Sequence, residues 1–90
     1  MEGEFRPKTV DFLLVHGPVP LPVEVKSGAA GKLRSLHRFV EMCPAAKTAI
    51  RLYRGRYALQ QAGSNVQYRL ANIPYYHASK IDAYADMLCS

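Results

Sequence analysis

Ninety residues, 49% apolar and 21% charged, suffice for one hydrophobic core and exclude both a two-core protein and a chain disordered throughout. Twelve Lys and Arg against seven Asp and Glu leave a net charge of +5, which suits a phosphate-rich partner such as DNA without requiring one. Two cysteines, Cys43 and Cys89, form no metal-type spacing, the first eight residues lack the apolar stretch of a secretion signal, and no apolar run approaches the ~20 residues of a membrane helix, so the chain reads as one cytoplasmic domain with free thiols and no membrane association.

Two strands open the chain. Thr9 to Val15 (TVDFLLV) and Leu21 to Lys26 (LPVEVK) alternate between apolar and other residues, and His16-Gly17-Pro18 between them is a turn signal. A hairpin centred on Gly17 and Pro18 sets Asp11 opposite Glu24 and Thr9 opposite Lys26. Side chains two apart share a face. Val10, Phe12, Leu14, Leu21, Val23 and Val25 then form one apolar surface, with Asp11, Glu24 and Lys26 on the other. Pro20 and Pro22 carry no N–H, so the second strand is expected to be unpaired or bulged along one side.

A small-residue loop, Ser27 to Gly31, precedes a helix predicted over Lys32 to Cys43, where Leu33, Leu36, Phe39, Val40 and Cys43 make one apolar stripe. Pro44 stops it. Lys32, Arg34 and Arg38 lie off the stripe, facing solvent or a nucleic acid. Thr48 to Tyr53 reads as a strand, with a hairpin through Arg54-Gly55-Arg56 into a fourth over Tyr57 to Gln61. After Gly63-Ser64-Asn65, Val66 to Leu70 alternates again, and Asn72-Ile73-Pro74 reads as a link. From Ala78 on, Ile81, Tyr84, Ala85 and Leu88 repeat at helical spacing, with Ser79 as N-cap and Asp82 in the first turn.

The histidines point to no metal set: His16 is a turn residue, His37 packs along the helix and His77 sits among tyrosines. Arg51, Tyr53, Arg54, Arg56, Tyr57 and Arg69 interleave cations with aromatics, but strand alternation splits them between two faces.

The chemistry therefore rests on the first hairpin. Opposed carboxylates repel, at a cost of a few tenths of a kcal/mol up to about 1, and a cation relieves them. Mg²⁺ or Mn²⁺ would take Asp11 and Glu24 oxygens and keep water for a phosphate substrate, while Lys26 orients that water or steadies developing charge. The plainer alternative makes Glu24 and Lys26 an exposed ion pair and Asp11 a solvated strand residue.

Thr9-Val10-Asp11-Phe12 followed by Pro22-Val23-Glu24-Val25-Lys26-Ser27-Gly28, a helix and a strand resembles the PD-(D/E)XK restriction-endonuclease-like fold. The runs VDFLLV, PVEVKSG, LRSLHRFVE and ANIPYY are similar, more closely, to the domain of unknown function that ends many prokaryotic AAA-type P-loop ATPases. The resemblance implies an α/β fold with a mixed sheet flanked by helices, Asp11, Glu24 and Lys26 at its motif positions, Asp11 and Glu24 as metal ligands, and Lys32, Arg34 and Arg38 toward DNA. Two departures accompany it. Thr9 replaces a glutamate of the ATPase family, and the acidic helix that precedes the first strand of such nucleases is missing. No Walker-type phosphate loop occurs, so no ATPase activity is expected. The chain reads as the C-terminal fragment of a longer ATPase, either nuclease-like or a non-catalytic interaction module, partnered by the ATPase domain and by a second copy across the sheet surface left uncovered.

Overall fold

The computed structural model describes residues 10–26, 33–63 and 65–89. The expected Thr9–Lys26 pairing, the small-residue loop at 27–31 and Lys32 lie outside the described residues. The elements run β1 (Phe12–His16), β2 (Val19–Val25), α1 (Arg34–Met42), β3 (Thr48–Tyr53), β4 (Ala58–Ala62), β5 (Tyr68–Pro74), a 3₁₀ segment (Tyr75–Lys80) and α2 (Ile81–Cys89). Together they form a mixed α/β fold: one five-stranded sheet in the order β1-β2-β3-β5-β4, and two α-helices.

The first hairpin has the expected register, from Phe12 opposite Val23 to His16 opposite Val19. Gly17 makes it possible. Its φ of 63° lies where only glycine rests without strain, and Pro18 cannot adopt a positive φ, which together select a type II′ turn. The prolines of β2 fall where expected as well, because β2 meets β3 only over Val23–Val25 and leaves the Pro20–Pro22 stretch unpaired on that side.

The centre of the sheet differs from the predicted order. No hairpin joins β3 to β4; β5 lies between them, parallel to β3 and antiparallel to β4. Asn72-Ile73-Pro74 is accordingly strand rather than link, paired with β3 as far as Tyr53–Pro74. A central strand covered on both faces shows a nearly continuous apolar run instead of alternation, which is why β5 is hard to bound from its pattern.

The core divides across the sheet. On one face Leu36, Phe39 and Val40 of α1 pack on Ala49, Leu70 and Tyr68. On the other, Ala85 and Leu88 of α2 pack on Leu21, Val23, Ile50, Leu52, Ala71 and Ile73. The apolar hairpin face is therefore shorter than predicted. Leu21 and Val23 are buried, but Phe12 is 59% and Val25 47% exposed, and Val10 joins the α1 cluster on the opposite side. Helix α2 does not reach far enough across β1 and β2 to cover their ends. Arg69 secures α2 by donating from Nη2 to the Leu88 carbonyl (2.6 Å) and to Thr48 Oγ1 (3.2 Å). Ser79 belongs to the 3₁₀ segment and so does not begin the helix, whereas Asp82 does occupy its first turn. Cys43 and Cys89 are free thiols, and no helix of the described residues is long and apolar enough to cross a membrane.

Candidate functional site

Alternation along β2 sends Val23 into the α2 core and Glu24 to the α1 face. The parallel pairing of β2, β3 and β5 places Glu24 beside Arg51, and Arg51 beside Asn72. All three are buried, Glu24 at 7% and Asn72 at 1% exposure, so a polar row crosses the centre of the sheet. Asn72 anchors it. Its Oδ1 accepts from Arg51 Nε (2.7 Å), and its Nδ2 donates to Gln60 Oε1 (2.8 Å) and to the Ala58 carbonyl (3.2 Å).

Asp11, Glu24 and Lys26 meet at the end of this row nearest β1. Lys26 Nζ lies 3.4 Å from Glu24 Oε2, and the Lys26 backbone N–H donates to the Leu52 carbonyl (2.9 Å). Asp11 stands one residue ahead of β1. Its N–H donates to the Val23 carbonyl (3.1 Å), and its Oδ2 accepts from the Val25 N–H (2.7 Å). The carboxylate thus fills the place of a backbone acceptor at the end of the ladder, and one of its oxygens is committed to holding the hairpin closed.

Glu24 is the electrostatic centre. Burial holds its carboxyl above the ordinary value of 4.5; the Lys26 charge opposes that shift, and the Asp11 charge adds to it. Its Oε2 has Lys26, but its Oε1 is enclosed and accepts no hydrogen bond among the described residues. A buried carboxylate oxygen with no donor is costly, and native proteins rarely leave one so. Beside it, burial pushes the Tyr68 phenol up to about 12, with the Arg51 charge opposing and the Glu24 charge reinforcing. The Tyr68 hydroxyl and His37 Nδ1 of α1 lie 2.8 Å apart, so the polar cluster is tied to the helix above it.

Of the basic residues expected along α1, Arg34 and Arg38 are exposed, one helical turn apart. Arg51 and Arg69 fall on opposite faces, Arg51 in the buried row and Arg69 against α2. His16 reaches from the turn to α2, with Nε2 3.3 Å from Asp86 Oδ1. Arg51, Asn72, Tyr68 and His37 are the members that strand and helix patterns did not single out as a site. For Arg51 and Asn72 the signal was present in AIRL and LANI, where one polar residue interrupts an apolar run and so requires a buried partner.

Among the described residues no three of His, Cys, Asp and Glu gather closely enough to hold a metal ion. The site offers two carboxylates. With Asp11 Oδ2 and Glu24 Oε2 engaged, Asp11 Oδ1 and the orphaned Glu24 Oε1 are the oxygens left for a hard cation. Comparison of the chain with protein-family models, curated proteins and solved structures finds no match.

Proposed function

We propose that this chain is a nuclease-like domain of restriction-endonuclease-like fold that binds nucleic acid, with Mg²⁺ or Mn²⁺ held by Asp11 and Glu24 and with Lys26 beside them. The observation that carries the reading is the enclosed Oε1 of Glu24, without a hydrogen-bond partner among the described residues and next to a lysine and a second carboxylate. A divalent cation would supply the missing partner, lower the pKa of its bound water and polarise a phosphoryl oxygen. Lys26 would steady charge on the phosphate, and Arg34 and Arg38 on α1, with Lys32 ahead of them, would contact the backbone of DNA. The succession of β2 with its Glu-x-Lys, α1 and a parallel β3 is the order expected of that fold. A place at the end of an AAA-type ATPase in the cytoplasm, where Cys43 and Cys89 would stay reduced, belongs to the same reading.

Isothermal titration with MnCl₂ and MgCl₂ tests it. The chain is expected to bind the cation, and Asp11→Asn with Glu24→Gln to abolish binding while circular dichroism stays unchanged. Absence of binding, or equal binding by the double variant, removes the mechanism.

One observation favours a second reading, a non-catalytic module that docks onto a second copy. β1 is the outer strand of the sheet, and its Phe12, Leu13 and Val15 are exposed, Val15 to 70%. An apolar open edge is where chains pair. Sedimentation of the chain and of Val15→Lys tests this: a dimer that the lysine dissociates supports it, and a monomer in both counts against it.

A further inference from the structure

The carboxyl ends of β2 and β3, together with the residue that follows β5, enclose a cleft of about 300 Å³ lined by Val25, Lys26, Leu52, Tyr53, Arg54 and Tyr75. Open α/β sheets take their ligands at the carboxyl ends of parallel strands. The walls are apolar and aromatic, with two cations among them. An apolar wall is wasted on a hydrated inorganic anion. The combination fits a ligand that carries both a flat apolar ring and a phosphate.

The two tyrosines are not equivalent. Tyr53 is fixed: its hydroxyl donates to the Arg56 carbonyl (2.6 Å), and the Arg51 guanidinium lies 5.4 Å from its ring centroid. Gly55 lies so close that a Cβ there would strike the ring. That packing makes Tyr53 a wall and holds the Arg54–Arg56 turn, and with it Arg54, at the mouth of the cleft. Tyr75 is 56% exposed at the start of the 3₁₀ segment, supported edge-on by Tyr76 at 5.7 Å. Its ring is therefore open to a stacking partner. Lys26 lines this cleft while its Nζ lies 3.4 Å from Glu24 Oε2, so it stands between the cleft and the carboxylate site.

We infer that the cleft is a subsite for single-stranded nucleic acid, in which Tyr75 stacks an unpaired base and Arg54 and Lys26 hold the adjoining phosphate. This rests on the nucleic-acid reading above and adds strand preference to it. A base inside a duplex is already stacked on its neighbours and cannot lie on Tyr75, whereas a single strand presents its faces freely. The positive charge of the whole chain favours such a polyanion over an acidic-free protein surface.

Fluorescence anisotropy with a short labelled oligothymidylate and with a duplex of equal length, both in EDTA, tests the subsite without metal. Tyr75→Ala is expected to weaken single-strand binding about tenfold and Tyr75→Phe to retain it, as loss of one base–aromatic stack dictates. Arg54→Ala is expected to weaken binding and to reduce the salt dependence by about one phosphate contact. Circular dichroism confirms that each variant is folded. Unchanged single-strand affinity in Tyr75→Ala overturns the inference, as does an equal loss on the duplex. It is also overturned if Tyr75→Ala changes only the sedimentation of the protein, which would mark a protein interface. Cation titration of Asp11 and Glu24 is read without nucleic acid, so the two proposals fail separately.

Discussion

Asn72→Ala offers the sharpest test of the polar row, because all of its interactions are accounted for and it is 1% exposed. The substitution removes two hydrogen bonds to neutral acceptors, on Ala58 and Gln60, and one from the charged Arg51. Neutral bonds contribute about 0.5–1.5 kcal/mol each and a bond to a charged group about 1.5–3, so the loss should be about 2.5–6 kcal/mol. Domains of this length have about 5–13 kcal/mol of stability in all, so the variant should lose a large share of its margin at 25 °C. At roughly 4–8 °C per kcal/mol, Tm should fall by at least about 10 °C. Urea denaturation and calorimetry of Asn72→Ala, Arg51→Met and the double variant measure both the loss and the coupling. Contact between the two predicts a coupling energy of about 1 kcal/mol or more. A loss below about 1 kcal/mol, or additivity within about 0.5 kcal/mol, would show that the row contributes no structure of its own.

Three other outcomes follow from the same geometry. Because burial raises the Glu24 pKa above 4.5, the folded chain holds that proton more tightly than the unfolded one; the associated stability is complete below the unfolded value and is lost as pH rises through the folded value. Glu24→Gln should therefore gain stability relative to the parent chain as pH rises from acid to neutral, and a difference independent of pH in urea titrations would contradict this. Tyr68 should ionise near 12, seen as the step that Tyr68→Phe removes from the ultraviolet titration; a missing step near the ordinary value of 10.0 instead would place the phenol in solvent. Gly17→Ala meets no neighbouring atom, so its cost should be the backbone strain of a positive φ alone, about 1–3 kcal/mol, read by chemical denaturation.

Local patterns proved most informative where one neighbour settles the structure. The register of the first hairpin follows from Gly17-Pro18 and strict alternation, and it brings Asp11 to the end of β2 beside Glu24 and Lys26. Thr48–Tyr53 and the stripes of α1 and α2 were legible for the same reason. The insertion of β5 between β3 and β4 was not, since no local period states which strand will be a neighbour. Nor could alternation show how far α2 extends, which decides that Phe12 and Val25 stay exposed while Leu21 and Val23 do not. Within the site, Arg51 and Asn72 became intelligible only through the parallel register that aligns them with Glu24.

The division between a local hairpin and distant partners sets an order of assembly. Asp11 and Val25 are 14 residues apart and joined by one tight turn, whereas Arg51 and Asn72 are separated by 21 residues, and His37 and Tyr68 by 31. Hairpins close in microseconds, while pairings between distant segments wait on slower chain searches. Asp11, Glu24 and Lys26 should thus meet first while still hydrated, and Glu24 should shed its water only when β3 and α1 dock over it. Its desolvation then belongs to the later barrier, so protonating Glu24 should quicken docking while leaving closure of the hairpin untouched.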